Sequence, residues 1–198
     1  MDRINTLDRR AVVASLLRER GDLLVVGGLG APSWDITAAG DDPLNFPLWG
    51  AMGSAAMIGL GLALAQPRRG VLVITGDGEM LMGMGSLATI GVQRPANLTL
   101  AVLDNESYGE TGMQETHTAH GVDLAAVAAA CGFAIAETIR DSAGIEALRA
   151  ALRRHEGPLF AQVKIAAENP PLVLPPRDGA LLKNRFRAAL LGPEAALA

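Results

Sequence analysis

Two short polar motifs follow two neighbouring apolar runs of the sequence. Gly76-Asp77-Gly78 comes directly after VLVIT, and Asp104-Asn105 closes the run LTLAVLD. Glycine lets a backbone bend sharply and approach a ligand, and a helix that starts there adds partial positive charge, so the first motif suits a phosphate. A carboxylate beside a phosphate needs a cation between the two anions. We therefore predict that Asp77 binds a metal ion.

Asn105 is the second predicted ligand of that ion. Its amide oxygen, the Asp77 carboxylate, a backbone carbonyl of the next turn (we expect Ser107), two phosphate oxygens and a water would give six oxygen ligands. Mg²⁺ prefers such an octahedral oxygen shell and is commonly shared with phosphates. Either motif alone could be an ordinary turn or a polar strand end. Both together, 28 residues apart (105 − 77), favour a magnesium site.

These motifs need secondary structure that brings them together, and helical and strand-like patterns alternate along the chain. We predict helices over residues 8–20, 31–40, 51–66, 79–93, 122–131, 141–155 and 180–190. We predict strands over residues 22–28, 71–75, 98–104, 133–139 and 158–165, and a proline-containing loop over 41–50. Near-continuously apolar strands that alternate with helices indicate an α/β fold with three αβα layers and a mostly parallel central sheet.

The position of the site follows from this fold class. Parallel sheets bind ligands outside the carboxyl ends of their strands, at a topological switch point. Three glycine-rich or polar turns, at 27–30, 76–78 and 104–105, fall at predicted strand ends. We expect them to meet at one edge of the sheet.

Composition limits the class of protein. Of the 198 residues, 49% are apolar and 19% are charged, which is typical of a folded domain with a buried core. The net charge of −4 and the scattered arginines give no reason to expect a nucleic-acid partner. The single cysteine, Cys131, excludes an internal disulfide framework and cannot alone hold an iron–sulfur cluster.

Location and domain organisation follow from three segments. The first 20 residues lack the apolar core of a signal peptide, and the apolar run 51–66 is shorter than the ~20 residues of a membrane-spanning helix. We therefore expect a cytoplasmic protein that has no membrane partner. We expect one domain over residues 1–166, followed by an extended tail and a short helix over 167–198.

The two motifs together resemble the binding motif of the thiamine-diphosphate enzymes, which has Gly-Asp-Gly followed at this distance by Asn-Asn. Here Asp104 takes the first of the two Asn positions. The resemblance covers residues 20–165 and implies the thiamine-diphosphate-binding fold, with thiamine diphosphate and Mg²⁺ as cofactors. It implies that Asp77, Asn105 and the Ser107 carbonyl hold the metal. The cofactor-binding residues it implies around this motif are Gly76, Asp77, Gly78, Glu79, Asn105, Ser107, Tyr108 and Gly109.

The same resemblance gives roles to two earlier segments. Met52 would lie under the bent cofactor, and the Gly50 carbonyl would accept a hydrogen bond from the amino group of its pyrimidine. The turn GGLGAPS would cradle the diphosphate through Gly30, Ala31 and Ser33. From the residues alone, Met52 could equally be helix core, and the turn is a weak glycine pattern.

Enzymes of this family also need a pyrimidine-binding domain whose glutamate activates the cofactor, and no residue of this sequence matches that glutamate. We therefore expect a hetero-oligomer with a separate pyrimidine-binding subunit. The stretch from Asn105 to Thr118 is similar to that of the sulfopyruvate decarboxylase β subunit and phosphonopyruvate decarboxylase. This resemblance implies a carboxy-lyase that releases CO₂ and an aldehyde from a 2-oxo acid.

The sequence alone does not identify the exact substrate or the residue that donates a proton. His117 could donate a proton, and we name it as the candidate catalytic residue, although His117 and His120 could both be solvated loop residues. An acetolactate-synthase-like carboligase is the alternative within enzymes. A ferredoxin-linked oxidoreductase is disfavoured because one cysteine cannot hold its cluster. A non-catalytic cofactor-binding regulatory subunit is the alternative from another class.

Overall fold

The computed structural model describes residues 7–196 of the chain. Its strands, in chain order, are β1 (Leu24–Gly27), β2 (Asn45–Pro47), β3 (Val71–Gly76), β4 (Leu98–Asp104), β5 (Ser107–Tyr108), β6 (Gln114–Glu115), β7 (Ile135–Ile139) and β8 (Leu159–Lys164). Six of them form a parallel sheet with the order β2-β1-β3-β4-β8-β7, and β5 and β6 form a small antiparallel pair. The predicted parallel α/β sheet is therefore confirmed.

Eight α-helices cover the two faces of this sheet within the described residues. They are α1 (Arg9–Leu17), α2 (Ala31–Ala38), α3 (Ala55–Ala65), α4 (Asp77–Met82), α5 (Ser86–Gln93), α6 (Leu124–Ala130), α7 (Ser142–Arg154) and α8 (Gly179–Leu191). Short 3₁₀ helices lie at His117–His120 and Pro193–Ala196. Aspartate side chains cap the N-termini of four α-helices, and they are Asp8, Asp123, Asp141 and Asp178.

The core consists of two apolar layers, one on each face of the sheet. Helices α1, α2 and α7 pack their apolar side chains on one face, and α3, α5, α6 and α8 pack on the other. Because successive side chains of a strand point to opposite faces, β3 contributes Leu72 and Ile74 to the first layer and Val71 and Val73 to the second. The three-layer αβα prediction is thereby confirmed.

Three predicted boundaries are wrong, and close backbone contacts explain one of them. The helix predicted over 79–93 is divided between α4 and α5, since the backbone of Gly53 packs directly onto Gly83 and any side chain at Gly83 would collide with it. The loop predicted over 41–50 contains β2, which pairs with β1 at the sheet edge. The helix predicted over 51–66 begins only at Ala55.

The tail after β8 returns across the sheet. It runs without regular structure to α8, whose Phe186 ring packs against Phe46 of β2 at a centroid distance of 5.3 Å. The helix predicted over 180–190 is therefore confirmed. No helix in residues 7–196 is long and apolar enough to span a membrane.

Two glycines in helices give opposite expectations for stability. At Gly91 of α5 an added methyl group would collide with the backbone carbonyl of Cys131, whereas at Gly61 of α3 it would meet open space. We expect Gly91→Ala to lower the free energy of unfolding by about 2 kcal/mol through overpacking. We expect Gly61→Ala to raise it by about 0.5–1 kcal/mol through helix propensity. Urea unfolding monitored by circular dichroism measures both, and a stabilised Gly91→Ala variant would contradict the packing of α5 on α6.

Candidate functional site

A cavity of about 200 Å³ lies at the carboxyl edge of the sheet, where the strand order reverses between β1 and β3. The register brings Gly27 beside Ile74 and Gly76 beside Leu103, so the turns after β1, β3 and β4 meet there. The predicted site residues that line this cavity are Ala31, Met52, Gly76, Asp77, Gly78, Glu79, Asn105, Ser107, Tyr108 and Gly109. The predicted residues Gly30, Ser33, Gly50 and His117 do not line it.

Asp77 is the most buried acid of the cavity wall, with 2% of its surface exposed. The hydroxyls of Thr116 and Thr118 donate to its Oδ2 at 2.5 and 3.1 Å. Burial, together with the negative charge of Asp104, raises the pKa of Asp77 to about 6 against the opposing effect of these hydrogen bonds. Within residues 7–196 no side chain donates to its other oxygen, Oδ1, and the Gly78 backbone N–H also donates to this carboxylate.

Asp104 is fully buried and does not line the cavity, but it joins the same network. Its Oδ1 accepts a hydrogen bond of 2.8 Å from Thr118, and its Oδ2 accepts from Gln162 at 2.6 Å and Lys164 at 2.7 Å. Burial opposes ionisation, but the hydrogen bonds from Lys164, Gln162 and Thr118 outweigh it, and the pKa of Asp104 lies below its usual value. Because Thr118 has one hydroxyl proton, this proton is shared between Asp104 Oδ1 and Asp77 Oδ2, and Thr118 links a charged Asp104 to Asp77.

The turn after β4 presents two further oxygens. Asn105 Oδ1 accepts a hydrogen bond of 3.1 Å from the Ser107 amide, which fixes the side chain beside its own turn. The amide of Thr116 donates to the carbonyl of Glu106 at 3.0 Å. Hydrogen-bonded and non-hydrogen-bonded pairs alternate in an antiparallel ladder, so the next pair, Ser107 and Glu115, is a non-hydrogen-bonded one. This alternation turns the Ser107 carbonyl away from β6.

The ligands that the cavity offers to a metal ion are oxygen atoms. Residues 7–196 contain no cluster of three or more His, Cys, Asp or Glu side chains able to hold a metal. The cavity instead offers one buried carboxylate (Asp77), one amide oxygen (Asn105) and one backbone carbonyl (Ser107). Such a set leaves coordination places for phosphate and water, and it fits Mg²⁺ better than a soft metal.

Tyr108 and Gly78 are in close contact at the cavity wall. The ring of Tyr108 lies against Gly78, where any Cβ would collide with it. Gly78 is thus required to let the turn after β4 approach the start of α4. This contact places Asp77 and Ser107 on the same cavity wall.

The turn after β1 and the start of α2 are occupied by the carboxylate of Glu110. Glu110 Oε1 accepts a hydrogen bond of 3.2 Å from the Ala31 amide at the start of α2, and its carboxylate lies so close to Gly30 that a Cβ there would overlap with it. Ser33 is buried and donates to the Gly28 carbonyl at 2.7 Å. An anion that is to bind at the α2 start must therefore replace the Glu110 carboxylate.

Glu79 holds three chain segments together. Its Oε2 accepts from the Leu29 amide and the Thr75 hydroxyl, both at 2.8 Å, and its Oε1 accepts from the Gly53 amide at 3.3 Å. Met52, which precedes Gly53, is thereby held at the cavity wall. Glu79 lines the cavity, but its oxygens are used on the protein itself.

The two histidines lie apart from this arrangement. His117 is exposed in the 3₁₀ helix and outside the cavity wall. His120 is also exposed, and its Nε2 lies 3.1 Å from Glu115 Oε2. The catalytic role of His117 stays a prediction that this position does not favour.

Sequence reasoning missed four residues that support the pair of Asp77 and Asp104 and two that line the cavity. The missed residues are Arg9, Glu110, Thr116, Thr118, Gln162 and Lys164. A signal was present for two of them. Lys164 is a charged residue at the carboxyl end of a buried strand, and Arg9 lies at helical spacing from the buried Val12, Val13 and Leu16.

Comparison with known proteins agrees with this geometry. Residues 35–163 match the family model "Thiamine pyrophosphate enzyme, C-terminal TPP binding domain". The chain is 38% identical over 186 residues to the sulfopyruvate decarboxylase subunit beta of Methanothermobacter thermautotrophicus, with 94% of each chain covered. It is 39% identical over 197 residues to the phosphonopyruvate decarboxylase of Streptomyces viridochromogenes, covering 99% of this chain and 48% of that enzyme.

Solved structures show the same fold. The benzoylformate decarboxylase of Polynucleobacter necessarius superposes with a TM-score of 0.66 at 21% identity, over 84% of this chain and 34% of that one. The 4-hydroxybenzoylformate decarboxylase of Rhodococcus jostii RHA1 gives 0.66 at 18% identity, over 82% and 33%. The predicted thiamine-diphosphate-binding fold is confirmed. The chain belongs to the thiamine pyrophosphate enzymes, in which it corresponds to the C-terminal TPP-binding domain.

Proposed function

We propose that this chain is the diphosphate- and Mg²⁺-binding subunit of a heteromeric decarboxylase of 2-oxo acids, similar to sulfopyruvate and phosphonopyruvate decarboxylases. The observation that carries the proposal is the buried carboxylate of Asp77, which has one oxygen free of side-chain hydrogen bonds and shares a cavity wall with Asn105. The similarity over nearly the full length of a β subunit supports the heteromeric assembly.

Each wall of the cavity has a proposed role in holding the cofactor. Asp77, Asn105 and the Ser107 carbonyl bind Mg²⁺, while the backbone around Gly76 and Gly78 and the start of α2 bind the diphosphate. Met52 supports the thiazolium and pyrimidine rings, and the nearby Gly50 carbonyl accepts a hydrogen bond from the pyrimidine amino group. Gly50 does not line the cavity itself but lies two residues from Met52, which does. His117 is exposed, and no residue within two positions of it lines the cavity, so His117 is left out of the proposed site.

Thiamine diphosphate, when bound, supplies the electron sink that decarboxylation of a 2-oxo acid requires. This chain orients the cofactor through the metal and shields the diphosphate from water with Tyr108 and the turn that follows it. We propose that a separate pyrimidine-binding subunit contributes the activating glutamate. The active site would then lie between the two subunits.

The substrate test uses the chain purified together with a pyrimidine-binding subunit, Mg²⁺ and thiamine diphosphate. Because the cofactor chemistry is decarboxylation, we expect CO₂ and an aldehyde from at least one member of a 2-oxo-acid panel that includes sulfopyruvate and phosphonopyruvate. A coupled dehydrogenase assay measures the aldehyde. Acetolactate as the sole product would instead establish the carboligase alternative, and cofactor binding without any turnover would favour a regulatory subunit.

Asp77→Asn tests the metal assignment. The substitution keeps the shape of the side chain but removes the charge that the cation needs, so we expect Mg²⁺-dependent binding of thiamine diphosphate to be lost. Isothermal titration calorimetry of the assembled complex measures the affinity. Glu115→Gln, a change of an exposed acid near the same turn, is the control and should bind normally. An unchanged affinity of Asp77→Asn would reject the metal site.

Thr116→Val tests the support of Asp77. Loss of the 2.5 Å hydrogen bond to Asp77 Oδ2 should weaken Mg²⁺ binding by roughly 10- to 100-fold, as for other residues that orient metal ligands. Thr116→Ser keeps the hydroxyl and should restore most of the affinity. If Thr116→Val and Thr116→Ser bind Mg²⁺ equally well, the hydroxyl does not orient the carboxylate.

A further inference from the structure

Arg9, the first residue of α1, is a buried cation on the wall of the cofactor cavity. Only 6% of its surface is exposed, and its Nε lies 3.0 Å from Asp35 Oδ2. The two groups attract each other as charges, but their geometry is not that of a hydrogen bond. Within residues 7–196 the Arg9 side chain makes no hydrogen bond, and its Nε is a buried donor without a partner. A guanidinium has five N–H donors, so most of its binding capacity is open at this site.

The charge of Arg9 is only partly compensated by the protein. The Nε of Arg10 donates a hydrogen bond of 3.1 Å to the same carboxylate, at Asp35 Oδ1. Two guanidinium groups thus face one buried carboxylate, and the nearby Asp8 carboxylate is exposed to solvent, so the buried charge of Arg9 is only partly compensated. A buried charge without a full partner is costly, and a bound anion would remove that cost.

The other charges of the cavity indicate which anion is missing. Among the described lining residues, Arg9 is the only lysine or arginine, while Asp77, Glu79 and Glu110 are acidic. Mg²⁺ held by Asp77 retains a single net positive charge, which is less than the negative charge of a diphosphate. Backbone N–H groups at the helix starts would offset part of the remaining negative charge, and a second cation on the cavity wall would offset more of it.

We propose that Arg9 binds the terminal phosphate of thiamine diphosphate, with Asp35 fixing the guanidinium for a charge-assisted contact. Arg9 is thus a cofactor-anchoring residue contributed by α1, outside the motifs that follow β3 and β4. Planar guanidinium groups suit phosphate because two parallel N–H groups can reach two of its oxygens. This inference rests on the proposed function, since it requires that the cavity binds the cofactor.

The test compares Arg9→Gln with Arg10→Gln in calorimetric titrations of the assembled complex at saturating Mg²⁺. Arg10 shares Asp35 but does not line the cavity, so it is a matched control. We expect Arg9→Gln to weaken binding of thiamine diphosphate by roughly 10- to 100-fold, the usual effect of losing a charged hydrogen bond. Thiamine monophosphate, which lacks the terminal phosphate, should bind both variants as it binds wild type. Arg9→Lys should recover part of the affinity.

Three outcomes would overturn the proposal, and each has a distinct meaning. Equal losses in Arg9→Gln and Arg10→Gln would mean that both residues act only by holding Asp35. Unchanged cofactor affinity with a raised KM for the 2-oxo acid would mean that Arg9 binds an acidic group of the substrate. If wild type itself fails to bind thiamine diphosphate, the proposed function fails first, and the failure is seen before any variant is compared.

Discussion

The geometry of the site depends on the hydrogen bonds that the buried carboxylate of Glu79 accepts. This carboxylate accepts hydrogen bonds from the turn after β1, from the end of β3 and from the segment before α3, so three separate parts of the chain converge on one side chain. The same carboxylate explains Gly28, because a Cβ at that position would collide with Glu79. Separating these segments would leave the Glu79 carboxylate buried without hydrogen-bond partners, which would raise the free energy of the protein.

A second buried network extends from Asp77 into the sheet. Thr118 connects Asp77 with Asp104, and Asp104 in turn binds Gln162 and Lys164 of β8. Two carboxylates so close together disfavour a second ionisation, and Lys164 resolves the conflict by stabilising the charge on Asp104. Asp104 therefore has a structural role where the family motif carries its first Asn. We propose Asp77 and Asn105, rather than Asp104, as the metal ligands.

The sequence predicted five of the eight strands in the described residues, the layers and most residues of the cavity wall because local patterns encode them. Apolar runs of β-branched residues define β3 and β4, and the polar residues directly after those runs are fixed at the carboxyl edge. The division of the helix predicted over 79–93 could not be predicted, because it depends on the backbone of Gly53 packing against Gly83 from 30 residues away (83 − 53). Ser33 likewise looked like a ligand residue, but its hydroxyl is used inside its own turn.

By itself, the sequence determined the fold class, the cofactor family and the identity of Asp77 and Asn105, since strand periodicity and motif spacing are properties of contiguous residues. Only the tertiary structure decided how these side chains are supported and charged. Thr116 and Thr118, at the start of a 3₁₀ helix, contact Asp77, and Lys164 of β8 contacts Asp104. Arg9 reaches the cavity from α1, where it lies beside Asp35. Contacts between residues distant in sequence leave no local periodicity, because they arise when the packed layers bring separate segments together.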